Sequence, residues 1–539
     1  MHTHSRAKLT TGKWVQPLVF WGGGLALAAV LAASILHFGD VQFGGYDGSI
    51  VVNHAWQLHL GYQPYVDVVT GLPPLFLIGS HLAFDFWGVH WYVLVMIAAF
   101  FSAVTFLLQV ALLLRLNFGA RWSLLLPFAI QSMTMVPVAW WWYNQVTAVL
   151  GCLFVSAALL LYQRPNSVFS QGAFAGSAVL LALAKPNMAS ALLVSVFVLL
   201  ISAQHLRRRV IVLFTCATAV TLGVLFWARV NPLDVLTSYT IFAGDALSLS
   251  RIAKFLLLND RYEVGQTFAL MAPSVLAVGI VLFRVNLSPS SEDEIPRITI
   301  TSPTIKKMEV PCLALGLISR GGGILGMMTN NEYNMSDASM ILLGSAVITL
   351  LFRGRLAIPR MRVVVLALII VSTVLLTANG LRYTMFRWRV MGVGPGAFYE
   401  EAPLTVLEDP ALFKGMSVGP RLVRVLSDIE ETLKTAGYLG PEDAPVFFGP
   451  RIDFGYAAYG IHPHPGLPTW WEFFSQDGRG QTNDMVERFK AARFKLCIFL
   501  RRDYTFFPAS LIEYLNQAYE VYDTGELTIH VLRPEGQAP

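Results

Sequence analysis

The stretch "FGGYDGSIVVNHAWQLHLGYQPYVD" at residues 43–67 carries two carboxylates, Asp47 and Asp67, directly after a long apolar run. No Lys or Arg occurs from Trp14 through Leu114. An acid placed like Asp47 has two ordinary uses. It caps the helix that the following pattern predicts. Alternatively, as a general base at the lipid–water boundary, it takes the proton of a hydroxyl nucleophile. Spacing alone leaves both open. Asp67, His54 and Tyr65 are assigned to shaping this loop or touching a bound hydroxyl. His54 has no second ligand at metal spacing, and the loop lacks the paired acids a divalent ion wants, so no metal is expected.

The cations are scattered. Lys185, Arg251, Lys254, Arg261 and Arg320 are the candidates for holding an anionic group, where positive charge helps an anion depart. Arg320 lies mid-run in "VPCLALGLISRGGGILGMMT" (310–329). An arginine there is functional or paired, or it snorkels to the boundary. The three glycines after it predict a break in the helix. Lys185 also reads as an ordinary helix-end residue, and Arg251, Lys254 and Arg261 as decoration of a solvated loop. Tyr143 and Asn144 close the aromatic turn "AWWWYN". Trp470 and Trp471, in "GIHPHPGLPTWWEFFSQDG" (460–478), offer flat faces for stacking or pack against the boundary and the tail's own core.

The elements that must position these residues follow from composition. Of 539 residues, 55% are hydrophobic and 14% are charged, where a soluble chain has about 25% charged. A bilayer is the implied solvent, and nucleic acid is not an expected partner. Apolar runs fall at 14–38, 89–114, 122–142, 145–162, 168–184, 187–203, 210–228, 264–283, 310–329, 336–352 and 363–380. That is about eleven transmembrane helices, each near the ~20 residues a bilayer needs. The first reads as an uncleaved signal anchor. With the N-terminus in the cytoplasm, every even-numbered exit lands on basic residues: Arg115 and Arg121, Arg164, "HLRRR", Lys306 and Lys307, and "RGRLAIPRMR". That asymmetry orients the chain. Segment 284–309 reads as a flexible linker.

An odd number of spans leaves the tail outside. The expected division is a transmembrane part, 1–380, with a first outer loop at 39–88, and an extracytoplasmic α/β domain, 381–539. Strands are predicted at 444–450, 494–500 and 527–534, and amphipathic helices at 483–492 and 510–519. Val52, Ala55, Trp56 and His59 recur at helical spacing, which predicts a helix over 47–61 lying on the membrane surface. Four cysteines form no metal or disulfide pattern.

Residues 46–75, "YDGSIVVNHAWQLHLGYQPYVDVVTGLPPL", resemble the first outer loop of the GT-C glycosyltransferases, closest to family 39, the protein-mannosyltransferase and aminoarabinose-transferase type. The matches are Asp47-Gly48, Gly61, Pro64-Tyr65, Asp67 and Pro73-Pro74-Leu75. "LALAKPN" (181–187) is similar to a second family motif, with Lys185 in the matching place. The resemblance implies a GT-C-like fold, Asp47 as the catalytic residue, acting as general base, and a polyprenyl-phosphate sugar as donor. Two departures stand out. Leu72 replaces the Lys that many members carry before the "P-P-L", and Asn144 replaces an acid after the third span.

The expected activity is therefore transfer of a sugar, with inversion or retention, from a polyprenyl-phosphate donor to a lipid, polysaccharide or protein hydroxyl. The place is the outer face of the cytoplasmic membrane, in cell-envelope glycan synthesis. Trp470 and Trp471 would then stack on sugar rings. No nucleotide-binding motif is present, which suits a lipid donor. No cofactor is expected, with a divalent metal the less favoured option. The rival readings are a flippase or transporter of lipid-linked sugar, and a non-catalytic membrane scaffold.

Overall fold

The computed structural model describes residues 12–41, 43, 45–243, 303–329, 335–352, 403–438, 445–474, 480–504 and 507–534. Arg251, Lys254 and Arg261, the runs 264–283 and 363–380, and most of the linker at 284–309 lie outside these residues. The helices up to Phe352 are α1 (Gly12–Asp40), α2 (Tyr46–His59), α3 (Pro74–Trp87), α4 (Trp91–Arg115), α5 (Ala120–Thr134), α6 (Tyr143–Gln163), α7 (Val168–Ala182), α8 (Pro186–Ser202), α9 (Arg207–Trp227), α10 (Pro232–Ala243), α11 (Pro303–Thr329) and α12 (Met335–Phe352).

Among the described residues, four helical segments are long and apolar enough to cross a membrane: Val19–Asp40, Trp91–Arg115, Tyr143–Gln163 and Arg207–Trp227. Val168–Ala182, Pro186–Ser202, Pro311–Leu325 and Ser339–Ile348 are apolar but shorter. Large apolar side chains such as Phe100 and Phe226 stand exposed on these helices, as a lipid-facing surface requires. The chain is a multi-pass membrane protein by this character; a count of eleven does not follow from it.

Helix α6 is the hub, packed against α4, α5, α7, α8, α11 and α12. Small residues allow it: a Cβ on Gly151 would come within 2.9 Å of the Met340 sulfur. Small residues set helix spacing in lipid because close van der Waals packing, not water exclusion, drives association there. The α11–α12 crossing is tighter. A Cβ on Gly344 would lie 2.5 Å from the Gly316 carbonyl oxygen.

Three expectations change. The three glycines 321–323 do not break α11, which runs unbroken to Thr329; its backbone bonds stay within the helix. The run 122–142 is not one helix. α5 contains Pro127 and ends at Thr134. Trp140, Trp141 and Trp142 then form a buried, non-helical turn into α6. And the face of α2 expected on the membrane surface is partly covered by protein, with Val52 and Ala55 buried. Ser49, Val52, Asn53, His54, Ala55 and Gln57 are all buried. One side of α2 meets α3, and the other meets the C-terminal residues.

The C-terminal residues build two short paired strands, β1 (Thr405–Val406) and β2 (Ser417–Val418), and then the amphipathic helix α13 (Pro420–Thr435). Next come β3 (Val446–Phe448), α14 (Gly455–Tyr459), α15 (Gly480–Ala492), β4 (Leu496–Leu500), α16 (Ala509–Ala518), β5 (Tyr519–Thr524) and β6 (Leu527–Leu532). The sheet order is β3-β4-β6-β5, with β3 parallel to β4 and the other pairs antiparallel. β5 and α13 were not expected from the sequence. β4 is buried along its length, as a strand covered on both faces must be.

Candidate functional site

The first loop, the turn into α6 and the turn into α8 meet at one end of the bundle. Their assembly starts from the prolines. Pro73 is the N-cap of α3, and Pro74 is its first residue, where a missing N–H costs nothing. The Leu75 N–H donates to the Leu183 carbonyl at 2.9 Å. This joins the start of α3 to the α7–α8 turn that carries Lys185. Lys185 is itself the N-cap of α8 and is followed by Pro186.

Lys185 is 9% exposed. Its Nζ donates to Asn144 Oδ1 at 3.0 Å and lies 5.4 Å from the centre of the Tyr143 ring. Its backbone N–H donates to Thr147 Oγ1 at 3.3 Å. Three sequence candidates, Tyr143, Asn144 and Lys185, thus form one cluster.

Asp47 stands in the first turn of α2 and is half-buried. The N-cap is Gly45, so Asp47 is inside the helix and does not cap it. A carboxylate there is favoured by the helix dipole. Gly48 lets aromatic rings come close: a Cβ would lie 3.2 Å from Phe43 and 3.3 Å from Trp91. Phe43 in turn packs edge-on against Phe413 and Phe454 of the C-terminal residues, with centroids 4.8 and 5.2 Å apart.

The other loop candidates are structural in their contacts. Asp67 accepts the Gln63 N–H at 2.8 Å, and its own carbonyl accepts the Gly466 N–H at 2.7 Å. The buried Tyr65 donates to the Leu72 carbonyl at 2.7 Å and has φ 65°. His54 is buried, with Nε2 2.9 Å from Thr469 Oγ1. Burial pulls its pKa down to about 3, so the ring is neutral.

A strap of C-terminal chain, residues 461–471, crosses this loop. Trp56 Nε1 donates to the Ile461 carbonyl, Tyr62 donates to the Pro463 carbonyl, and Val69 bridges to Pro468. Trp470 ends the strap over Tyr143, Trp142 and Phe242, with centroids 6.3, 6.3 and 6.1 Å away. Trp471 points the other way, 4.7 Å from Phe507, in the core beside the sheet. The two tryptophans therefore have different surroundings. Arg320 is placed elsewhere, 1% exposed between α11 and α12, donating to Ser345 Oγ.

Asp453 is the residue that sequence reasoning missed. It follows β3 in "GPRIDFG", is fully buried, and accepts from Ser49 Oγ and from Asn53 Nδ2 (3.3 Å). Burial raises its carboxyl to about 7, against the opposing pull of those two bonds. A small cavity of about 20 Å³ adjoins it, lined by Asn53, Gln57, Asp453, His464 and Thr469 among others; that is room for about one water. Ser49, Asn53 and Gln57 recur every four residues, a legible polar stripe whose partner lies 400 residues away. No group of three metal-binding side chains occurs among the described residues.

No family model matches this chain, and no curated protein matches it. Among solved structures it is similar to the crystal structure of ArnT from Cupriavidus metallidurans bound to undecaprenyl phosphate. The two align over 98% of this chain and 100% of that one, with 11% identity and a TM-score of 0.37. At that score the likeness carries no argument about function.

Proposed function

We propose that the protein is a membrane glycosyltransferase of GT-C type that moves a sugar from a polyprenyl-phosphate donor to a hydroxyl acceptor. The observation that carries this reading is the meeting of three motif-bearing segments at one end of the bundle. The first loop, with Asp47 and Pro73-Pro74-Leu75, is joined by a backbone hydrogen bond to the turn of Lys185, and Lys185 lies against Tyr143 and Asn144. Segments far apart in sequence bring the Pro73-Pro74-Leu75 end of the first loop to a buried cation, and the same loop carries Asp47, so transfer from a phosphate ester has a cation and a carboxylate to draw on.

In this reading Asp47 takes the proton of the acceptor hydroxyl. The acceptor oxygen forms its bond to the anomeric carbon as the bond from that carbon to the phosphate oxygen breaks. The departing polyprenyl phosphate gains negative charge, and Lys185 stabilises it. Leu72, where many GT-C members carry Lys, is buried and lends its carbonyl to Tyr65. The cation is then supplied from the α7–α8 turn, which the Leu75–Leu183 hydrogen bond holds beside that position. The C-terminal domain faces the outside of the cytoplasmic membrane, its strap at 461–471 crossing the first loop, while the apolar helices hold the polyprenyl tail.

The test is Asp47→Asn in proteoliposomes given a labelled polyprenyl-phosphate hexose or pentose. Loss of transfer with retained binding of unloaded polyprenyl phosphate supports the reading. Undiminished transfer removes Asp47 from the chemistry, and with it the enzyme reading in this form.

A further inference from the structure

The latch behind α2 has a job that the reaction alone does not assign. We propose that Asp453 is a positioning residue, which fixes the first turns of α2 and so the place of Asp47. The proposal rests on reading Asp47 as the base.

The geometry is directional. Successive residues turn about 100° round a helix, so Ser49 lies ~200° from Asp47, on the opposite face. Asn53, four residues after Ser49, shares that face. Asp453 therefore grips α2 on the face away from Asp47. About 100° round the helix from Ser49, Phe43 and Trp91 lie close to Gly48. The start of α2 is thus held by aromatic rings and by a carboxylate on neighbouring faces.

One oxygen makes the grip rigid. Ser49 Oγ donates to Asp453 Oδ1 and accepts the Phe454 N–H at 2.7 Å. Two bonds from adjacent residues of one turn converge on it, which fixes rotation as well as distance. Asn53 adds its bond to Asp453 Oδ2, and Gln57 Nε2 donates on to Asn53 Oδ1 at 3.1 Å. The network thus spans just over two helical turns, about 2.2 at 3.6 residues per turn. All three α2 residues are at most 3% exposed.

Simple packing does not account for a carboxylate here. The hydrogen-bond partners of the Asp453 carboxyl among the described residues are a hydroxyl, a side-chain amide and its own backbone N–H, all neutral. The neighbouring Arg451 pairs with Asp503 at 3.1 Å instead. Burying a carboxylate among neutral groups is costly unless its bonds are well made. An apolar residue would join the two layers at less cost but would not set their angle. A general base must stay within hydrogen-bond reach of its proton, and a 1 Å misplacement can cost ~100-fold in rate.

The experiment compares wild type, Ser49→Ala, Asp453→Asn and the double variant in detergent or proteoliposomes at pH 7.5. Two quantities are read: amide hydrogen exchange over residues 46–58, and kcat and KM for a labelled polyprenyl-phosphate sugar. Each single variant is expected to speed exchange at 46–53 at least tenfold. Each should lower kcat at least tenfold and leave donor KM within about twofold. The double variant should cost little more than either single one, because both cut the same connection. Wild-type exchange and kcat in Asp453→Asn overturn the proposal. So does a loss confined to KM, or singles that multiply. A loosened α2 in the variants, with no transfer by wild type itself, leaves the latch standing and refutes the glycosyltransferase reading instead.

Discussion

The buried carboxyl of Asp453 makes the contact between α2 and the C-terminal layer depend on pH in a calculable way. In the folded protein its pKa is raised to about 7 from the model-peptide value of 3.8. Between those values the folded state holds a proton that the open state has released. Stability of the contact is therefore greatest at low pH, falls as pH rises from about 4 to about 7, and is flat above. From pH 5 to pH 8 the loss is on the order of 2–3 kcal/mol, or roughly 30- to 150-fold in the open population. Wild type alone hides this. His54, on the same helix, is neutral when buried, with a pKa near 3. Its open form takes up a proton below about 6.5, so it weakens the contact as pH falls, by roughly 2 kcal/mol at pH 5. The two slopes nearly cancel. The informative quantity is the difference between wild type and Asp453→Asn, in which His54, His530 and every other unchanged group drops out. The Phe454 amide, bonded to Ser49 Oγ, reports opening by hydrogen exchange once rates are corrected for the pH dependence of exchange itself. The expected result is a free-energy difference that shifts by 2–3 kcal/mol from pH 5 to pH 8, with Asp453→Asn gaining relative to wild type as pH rises. A difference that stays within 0.5 kcal/mol across that range would refute a buried, ionising Asp453.

Further outcomes follow from the same geometry. Asp47→Asn should lower transfer by about 10²–10⁴-fold, read with labelled donor, while the protein's melting temperature in detergent stays near that of wild type. Lys185→Ala should abolish transfer and weaken binding of unloaded polyprenyl phosphate, and Lys185→Arg should restore only part of either; full activity in Lys185→Ala would exclude it as the phosphate ligand. Gly344→Val should destabilise the α11–α12 crossing by about 1–3 kcal/mol, since its first carbon would meet the Gly316 carbonyl and Arg320 Cγ at 2.5 and 2.7 Å; differential thermal unfolding of purified protein measures it. Activity after exhaustive chelation should equal that before, and recovery on added manganese or magnesium would reverse the metal-independent reading.

Much of the helical part was legible in the sequence because lipid imposes a simple rule. Every backbone polar group must be satisfied within the helix, so long apolar runs give helices such as α4, α6 and α9. The rule is silent about where helices stop. The run 122–142 reads as one span, yet α5 passes through Pro127, ends at Thr134 and is followed by a buried tryptophan turn. Glycine failed as a signal in the other direction. At 321–323 it does not break α11, and at Gly322 a Cβ would press on Leu192 and Met340 at 2.9 Å; close packing with α8 and α12, not a kink, accounts for that glycine.

The α2 helix shows why half of a site can be readable and the other half not. Its polar stripe of Ser49, Asn53 and Gln57 is local, and periodicity finds it. What periodicity cannot say is what the stripe faces. An amphipathic helix after a first span fits a lipid surface and a protein layer equally well. The deciding residue, Asp453, is set by the folding of a sheet whose strands begin some 400 residues later, and "RIDFG" has no spacing that marks it. The polarity of the stripe does argue against lipid once its composition is weighed. Side-chain hydroxyl and amide groups on a membrane surface could keep water as their partner, but burial of Ser49 and Asn53 to 3% or less removes it. Each must then find a protein acceptor or be lost to the fold. A buried carboxylate satisfies two such donors at once, with better bonds than neutral acceptors make. It also ties the helix that carries Asp47 to the layer above it, so the tail is part of what places the candidate base.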